Sequence, residues 1–322
     1  MAHCPWFGGA LESPAGRPVR GQRRAARCGF RKGIVLRATQ TWNGYRGVTI
    51  AGQVWGKPKQ PIVLLLHGGG QTRHAWKGVG ESLAANGYMV VAYDARGHGD
   101  SSWSADGDYS LDAMVEDLRC VLTGLGGRPA ALIGASMGGL TSLVAVGERR
   151  VAASALLLVD VAPTVNPPGR KRILDFMGHK PEGFSTLDEV ADLISAYQPQ
   201  QPRPPSTQGL AKNLRMMDNG NYRWHWDPAF HLSAGRWNDD STRLFDVAGQ
   251  LDVPVLLVRG QLSDVITEEG AREFLMICPH AEFVTVGSAG HMVAGDQNDV
   301  FGVALLDFLK RRAKSRPVSA SG

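Results

Sequence analysis

The chain has 322 residues, 43% of them hydrophobic and 20% charged, which is enough to bury one large core with or without an inserted subdomain. Its formal charge of +5 comes from the two ends: residues 1–38 hold eight Arg or Lys and residues 310–322 hold five, whereas 22 basic and 29 acidic side chains lie between them. This mildly acidic body argues against a nucleic-acid-binding face on the folded domain.

The first 32 residues are rich in arginine, and Glu12 is their one acidic residue. We expect a disordered basic extension, because the segment has few large apolar side chains to bury. An organelle transit peptide is the alternative interpretation. The four cysteines form no CxxC pair, which favours reduced thiols and a cytoplasmic location. No apolar run approaches the roughly 18 residues of a membrane span.

From residue 33 onward, short apolar runs alternate with amphipathic helical patterns. The predicted strands are 47–55, 61–66, 88–93, 130–135, 154–161, 253–259 and 282–286. The predicted helices that separate them include 75–86, 110–122 and 298–312. Apolar strands that alternate with helices predict an α/β fold with a mostly parallel sheet and helices on both faces.

One long stretch, 163–246, lacks strand-like apolar runs and has three short helical patterns instead, at 171–177, 187–197 and 209–217. So long a stretch is not a plain loop in a compact domain. We therefore predict a helical cap or lid at 163–246, inserted into a core made of 33–162 and 247–312. The last residues, 313–322, are predicted to be a disordered basic tail.

A serine lies between a predicted strand and a predicted helix in Gly134-Ala-Ser136-Met-Gly138. The pattern G-x-S-x-G is weak by itself, but it is specific where an apolar strand precedes it and a helix of small residues follows. A sharp turn at this place holds the serine exposed above the sheet. Ser136 is therefore the predicted nucleophile, and the alternative is a glycine-rich turn with an idle serine.

Three glycines follow His67 at the end of the strand at 61–66. Without side chains, their backbone N–H groups can approach a substrate oxygen closely. We predict that the N–H groups of Gly69 and Met137 form an oxyanion hole, where each donor is often worth about 3 kcal/mol. A simple glycine turn is the other interpretation of this segment.

The predicted base and acid follow later strands. His291 lies in a glycine-flanked loop after the last strand, and imidazole is the side chain best suited to exchange a proton near neutral pH. Asp264 follows the strand at 253–259 and is the predicted acid. Asp160, which ends the strand at 154–161, is its competitor; Asp264 is preferred because the loop after Asp160 leads directly into the lid and is more constrained. The order Ser136, Asp264, His291 agrees with a serine hydrolase.

The chain resembles the α/β-hydrolase superfamily over about residues 45–312. The resemblance is carried by LLLHGGG (64–70), YDARGHGDS (93–101), GASMGG (134–139), RGQLSD (259–264) and AGHMV (289–293). It implies an eight-stranded, mostly parallel sheet with a lid inserted after the sixth strand. In this family the aspartate and histidine of the second motif are usually structural, so Asp94 and His98 are not catalytic candidates.

A serine at position 136 narrows the expected chemistry. Dehalogenases and epoxide hydrolases of this fold need an aspartate there, whereas a serine attacks an acyl carbon and forms an acyl-enzyme. No metal or organic cofactor is required. Trp76, Trp224 and Trp226 are predicted to line an apolar pocket, with Trp237 beside them.

The leading hypothesis is a carboxylesterase that acts on a small or medium ester. Lactone hydrolysis, carbon–carbon bond hydrolysis and perhydrolysis share the same catalytic residues and stay open as alternatives. A small-molecule receptor with little turnover is a hypothesis of another class, which turnover of a generic ester would distinguish from an enzyme. The expected partner is a small molecule; the sequence does not specify the oligomeric state.

Overall fold

The computed structural model describes residues 37–197, 203, 206–234, 237, 241–287, 289–290 and 299–314 of the chain. The strands are β1 (Arg37–Asn43), β2 (Thr49–Trp55), β3 (Ile62–Leu66), β4 (Met89–Tyr93), β5 (Ala130–Ala135), β6 (Ala153–Val159), β7 (Leu214–Met216), β8 (Tyr222–Trp224), β9 (Val255–Gly260) and β10 (Glu282–Val286). Eight of them form one sheet in the order β1-β2-β4-β3-β5-β6-β9-β10. Only the two pairs that involve β2 are antiparallel, so the predicted eight-stranded, mostly parallel sheet is confirmed.

Helices cover both faces of this sheet. They are α1 (Lys77–Ala85), α2 (Leu111–Gly124), α3 (Met137–Gly147), α4 (Pro167–Met177), α5 (Leu187–Tyr197), α6 (Pro228–Ala234), α7 (Ser241–Gly249), α8 (Glu268–Ile277) and α9 (Asp299–Lys314). Residues of α2, α3, α7 and α8 pack on one face, and residues of α1 and α9 pack on the other. Ser110 caps the beginning of α2, where its hydroxyl accepts the N–H of Ala113 at 3.2 Å.

Two elements of the structure differ from the elements predicted from the sequence. The first strand, β1, was not among the predicted strands, because it is an edge strand whose described side chains are exposed apart from Trp42. The pattern at 209–217 is not a helix: a 3₁₀ turn at Gln208–Asn213 leads into β7. Three-residue strands such as β7 and β8 are too short to show a period of two in the sequence.

The segment between β6 and β9 contains α4, α5, the β7–β8 hairpin, α6 and α7. The hairpin, extended by a bridge between Phe184 and Tyr222, makes this insertion mixed rather than purely helical. Its last helix, α7, packs on α3, and a Cβ atom on Gly147 would lie 2.4 Å from the carbonyl oxygen of Val247. The predicted boundary between 246 and 247 therefore falls inside a helix that packs on the core.

Both predicted tails lie largely outside the described residues: 1–32 entirely, and 313–322 apart from the end of α9. Within the part of the chain that the structure describes, no helix combines the length and apolar character that crossing a membrane requires.

Candidate active site

Ser136 occupies the sharp turn between β5 and α3. Its φ of 47° and ψ of −113° are rarely adopted by a residue with a side chain, a strain worth about 1–3 kcal/mol that surrounding contacts must offset. The N–H of Ser136 donates to the carbonyl of Val159 at 3.1 Å, and its carbonyl accepts the N–H of Leu140 at 3.0 Å. Unlike its buried neighbours on both sides, Ser136 is partly exposed.

The two glycines of the motif are required by close backbone approach. A Cβ atom on Gly134 would lie 2.3 Å from the carbonyl oxygen of Gly138, and one on Gly138 would lie 2.5 Å from the carbonyl oxygen of Leu66. Both distances are far shorter than real Cβ contacts. The tight packing of β5, α3 and β3 therefore holds Ser136 in its unusual conformation.

The glycine turn at 68–70 lies against the serine, since a Cβ atom on Gly68 would be 3.4 Å from the Cβ of Ser136. The N–H of Gly68 donates to the side chain of Gln71 at 2.9 Å, and the N–H of Gly70 donates to Nε2 of His98 at 3.2 Å. Neither the N–H of Gly69 nor that of Met137 has an acceptor within the described parts of the chain. These two groups are the predicted oxyanion donors.

Three buried histidines, His67, His98 and His225, tie this turn to the surrounding loops. Each accepts a backbone N–H with one ring nitrogen: Ala95 to Nε2 of His67 at 2.9 Å, Gly70 to His98, and Gly99 to Nδ1 of His225 at 2.9 Å. The other nitrogen of each ring lies 2.8–3.3 Å from a backbone carbonyl, those of Gly68, Arg96 and Gly70 respectively. This arrangement assigns a neutral tautomer to every ring, because one nitrogen must accept while the other donates.

Burial favours the same neutral form. Loss of solvation lowers the pKa of His67, lowers that of His98 well below its ordinary value, and lowers that of His225 to about 3. The sequence assigned no role to His225, which follows β8 in the insertion. Its contacts to Gly99 and Gly70 join the insertion to the loop beside the serine.

Asp160 comes directly after β6 and faces the same cavity as Ser136. Its backbone has a φ of 49°, and its side chain is buried. The N–H of Gly260 donates to Oδ1 at 3.0 Å, and the hydroxyl of Ser263 donates to Oδ2 at 2.5 Å. Ser263 in turn accepts the N–H groups of Val265 and Ile266, so the turn after β9 holds this carboxylate in place.

Asp264 has a different environment. Its carboxylate pairs with Arg172 of α4 at 2.7 Å, and its side chain keeps about a third of its surface exposed. It is not among the described residues that line the cavity in front of Ser136. Its backbone carbonyl accepts the side-chain amide of Asn166 at 2.8 Å, which fixes the turn to the beginning of α4. These contacts weigh against the predicted acid and favour its competitor.

His291 lies outside the described residues, but the chain that leads to it is described as far as Gly290. The N–H of Leu262 donates to the carbonyl of Ala289 at 2.9 Å. A Cβ atom on Gly260 would lie 2.4 Å from the carbonyl oxygen of Gly290. Since Gly260 also binds Asp160, the backbone that precedes His291 runs beside the Asp160 carboxylate rather than beside a distant surface.

A cavity of about 140 Å³ opens in front of Ser136, with mostly apolar walls. Its described lining is made by the glycine turn, by the serine turn and by three insertion helices, with Met177, Phe230 and Trp237 among the large side chains. Phe230 and Trp237 meet edge to face at 5.3 Å, and the indole N–H of Trp237 donates to the carbonyl of Tyr109 at 3.0 Å.

Of the tryptophans predicted for this pocket, Trp237 lines the cavity, and the other three lie elsewhere. Trp76 is fully buried beside Phe301, in the core on the α1 and α9 side of the sheet. Trp224 and Trp226 stack on each other at 4.6 Å and are buried behind the cavity, where the indole of Trp226 donates to the carbonyl of Met177 at 3.3 Å. Trp226 therefore contacts Met177, a cavity residue that the sequence did not single out.

Known proteins resemble this chain in sequence and in fold. A family model for the alpha/beta hydrolase fold matches residues 61–189. The esterase Rv0045c of Mycobacterium tuberculosis is 32% identical over 251 residues, covering 76% of this chain and 80% of that esterase. The chain belongs to the α/β-hydrolase family.

Other proteins similar to this α/β-hydrolase are also hydrolases. The 3-hydroxybutyrate-oligomer hydrolase of Cupriavidus necator is 28% identical, covering 74% of this chain and 85% of that enzyme. The crystal structure of the M. tuberculosis esterase matches with a TM-score of 0.66, at 28% identity over 87% of this chain and 92% of the other. E-2-(acetamidomethylene)succinate hydrolase shares the fold, with a TM-score of 0.76 and 18% identity over 85% of this chain and 100% of the other. The protein is thus a hydrolase whose relatives include esterases.

Proposed function

We propose that this hydrolase cleaves small or medium carboxylic esters through an acyl-enzyme on Ser136. The conformation of Ser136 carries the proposal: a strained, partly exposed serine opens onto an apolar cavity beside the N–H groups of Gly69 and Met137. The esterase relative supports the ester as the bond that is cleaved.

In the proposed reaction, the hydroxyl oxygen of Ser136 attacks the ester carbonyl while His291 takes its proton. The negative charge that develops on the carbonyl oxygen is stabilised by the N–H groups of Gly69 and Met137. His291 then gives the proton to the leaving alkoxide, and the alcohol departs. A water molecule, deprotonated by the same histidine, then attacks the acyl carbon. The bond to Ser136 breaks, His291 returns the proton to the serine oxygen, and the acid is released.

We assign the acid role to Asp160 in preference to Asp264. A triad acid orients the imidazole and stabilises its charged form without taking the proton. The carboxylate of Asp160 is buried, held by Gly260 and Ser263, and adjacent to the chain that enters His291. The carboxylate of Asp264 pairs with Arg172, and Asp264 is not among the described residues that line the cavity.

Turnover of p-nitrophenyl esters by the wild type and by Ser136→Ala tests the proposal. The wild type should hydrolyse them and react with a fluorophosphonate, and the variant should do neither while its thermal unfolding is unchanged. Ser142→Ala is the matched control, since Ser142 is buried in α3 and its hydroxyl donates to the carbonyl of Gly138 at 2.8 Å. Undiminished hydrolysis by Ser136→Ala would reject the nucleophile, and ester binding without turnover by the wild type would favour a receptor.

A further inference from the structure

The glycine turn at 68–70 carries one proposed oxyanion donor, the N–H of Gly69, but has no side chains of its own to fix its shape. Glycine adopts more backbone conformations than any other residue, so bonds from outside the turn must hold it in one conformation. Oxyanion donors are effective because they are already in place when the negative charge develops. The contacts that fix this turn therefore bear directly on the proposed reaction.

Both polar groups of Gly70 are bound by buried histidine rings. Its N–H donates to Nε2 of His98 at 3.2 Å, and its carbonyl oxygen lies 3.3 Å from Nε2 of His225. Since Nδ1 of His225 accepts the N–H of Gly99 at 2.9 Å, Nε2 of the same ring carries the hydrogen and donates it to Gly70. Gly70 itself has a φ of 72°, a conformation that favours glycine. The two histidines thus fix the peptide units on both sides of Gly70, next to the proposed donor Gly69.

These two histidines belong to different parts of the molecule. His98 lies in the loop after β4, whereas His225 follows β8 in the insertion between β6 and β9. Apolar side chains of the insertion also reach the turn: a Cβ atom on Gly70 would lie 3.3 Å from the ring of Trp226, and one on Gly69 would lie 3.7 Å from the ring of Phe230. Ring packing leaves the direction of a peptide group open, whereas a hydrogen bond to its carbonyl oxygen determines it.

We infer that His225 is a positioning residue for the oxyanion hole. Its bond to the carbonyl of Gly70 keeps the glycine turn in the conformation in which the N–H of Gly69 is available to the substrate oxygen. The insertion then contributes to stabilisation of the transition state in addition to forming a wall of the cavity. This inference rests on the proposed ester hydrolysis and adds one residue to its machinery.

Two substitutions separate the two bonds of His225. In His225→Asn the amide oxygen can accept the N–H of Gly99 in place of Nδ1, but the shorter side chain does not reach Gly70. In His225→Gln the amide nitrogen can replace Nε2 and donate to Gly70. Loss of a whole oxyanion donor costs about 10²–10³ in kcat, so a displaced donor in His225→Asn should lower kcat for a p-nitrophenyl ester by about tenfold or more, with KM nearly unchanged. His225→Gln should recover most of this loss.

Inhibition by a trifluoromethyl ketone separates positioning from a general loss of structure. Such a ketone adds to the serine hydroxyl, and the oxyanion of the adduct occupies the same hole as the transition state. Its inhibition constant should therefore rise in His225→Asn by about the factor by which kcat/KM falls. Arg215→Gln is the matched control, because Arg215 also joins the insertion to the loop after β4, through the carbonyl of Gly99 and the carboxylate of Asp100. This variant should change neither kcat nor the inhibition constant.

The outcomes distinguish this inference from the proposed function. Wild-type kcat and inhibition in His225→Asn, equal losses in His225→Asn and His225→Gln, or the same loss in Arg215→Gln would each overturn the role of His225 and leave ester hydrolysis intact. No hydrolysis of any ester by the wild type would overturn the proposed function itself. If His225→Asn does not fold, nitrogen NMR of the wild-type imidazole decides: we expect the hydrogen on Nε2 of His225, and a hydrogen on Nδ1 would overturn the inference, because Nε2 could not donate to Gly70.

Discussion

The three neutral histidines predict that the free energy of unfolding falls steeply in mild acid. A proton added to His67, His98 or His225 would occupy the nitrogen that accepts a backbone N–H, so the native state resists protonation. In the unfolded chain the same imidazoles titrate near pH 6.5. Their folded pKa values are lowered, so the unfolded state binds more protons below pH 6.5, and stability present above that pH is lost as the pH falls.

The size of the effect can be worked out for His225, whose folded pKa of about 3 keeps it neutral from pH 6.5 to 5. Each pH unit in this range lowers the free energy of unfolding by about 1.4 kcal/mol, which amounts to about 2 kcal/mol between pH 6.5 and 5. His98 and His67 shift in the same direction and add to this loss. The loss from His225 alone is already a sizeable part of the stability of many domains, which is about 5–15 kcal/mol.

Urea unfolding between pH 7.5 and pH 5 measures this slope, in a range where most carboxylates stay ionised. In His225→Asn the amide oxygen can accept the N–H of Gly99 in place of Nδ1 but does not titrate. Its unfolding free energy should fall less steeply, by about 1.4 kcal/mol per pH unit below pH 6.5. His179→Asn, at an exposed histidine of the insertion, controls for the substitution itself. A flat wild-type profile, or equal slopes in the wild type and His225→Asn, would refute the reasoning.

Three further predictions concern the site. Asp160→Asn should lower kcat by orders of magnitude, about 10⁴ in a well-studied triad, whereas Asp264→Asn should lower kcat far less. If steady-state kinetics show the larger loss of kcat in Asp264→Asn, Asp264 is the acid. Trp237→Ala should raise kcat/KM for longer acyl chains by about tenfold, because it widens the cavity beside Phe230, and an unaltered chain-length profile counts against this wall. Gly134→Ala should lower the unfolding free energy by about 1–3 kcal/mol in urea titrations, since its Cβ would meet the carbonyl of Gly138, and full stability would contradict that contact.

The sheet and the serine turn could be predicted because local sequence determines them. Short, wholly apolar runs are typical of strands that helices cover on both faces. The runs Ile62–Leu66 and Ala130–Ala135 are strands with these bounds in the structure. The glycines around Ser136 also follow from local structure, because backbone segments lie so close together there that a Cβ atom would not fit. Edge elements such as β1, which bury only Trp42 among their described side chains, leave no comparable pattern.

The acid and the cavity wall could not be predicted in the same way. Asp160 and Asp264 both end apolar strands, and what separates them is the contact of Asp160 with Ser263, 103 residues away, and the pairing of Asp264 with Arg172. The role of His225 depends on Gly99, 126 residues distant. Such contacts form when elements that are far apart in the sequence pack together, so the local spacing of residues does not predict them.

The central claim is that Ser136 carries the acyl group during turnover. Acid quenching within the first turnovers of a p-nitrophenyl ester, followed by mass spectrometry of the digested protein, tests it most directly. We predict one acyl adduct, on the peptide that contains Ser136, which disappears as the ester is consumed and does not form in Ser136→Ala. An adduct on another residue, or rapid turnover in which no adduct ever accumulates and Ser136→Ala remains active, would contradict the account.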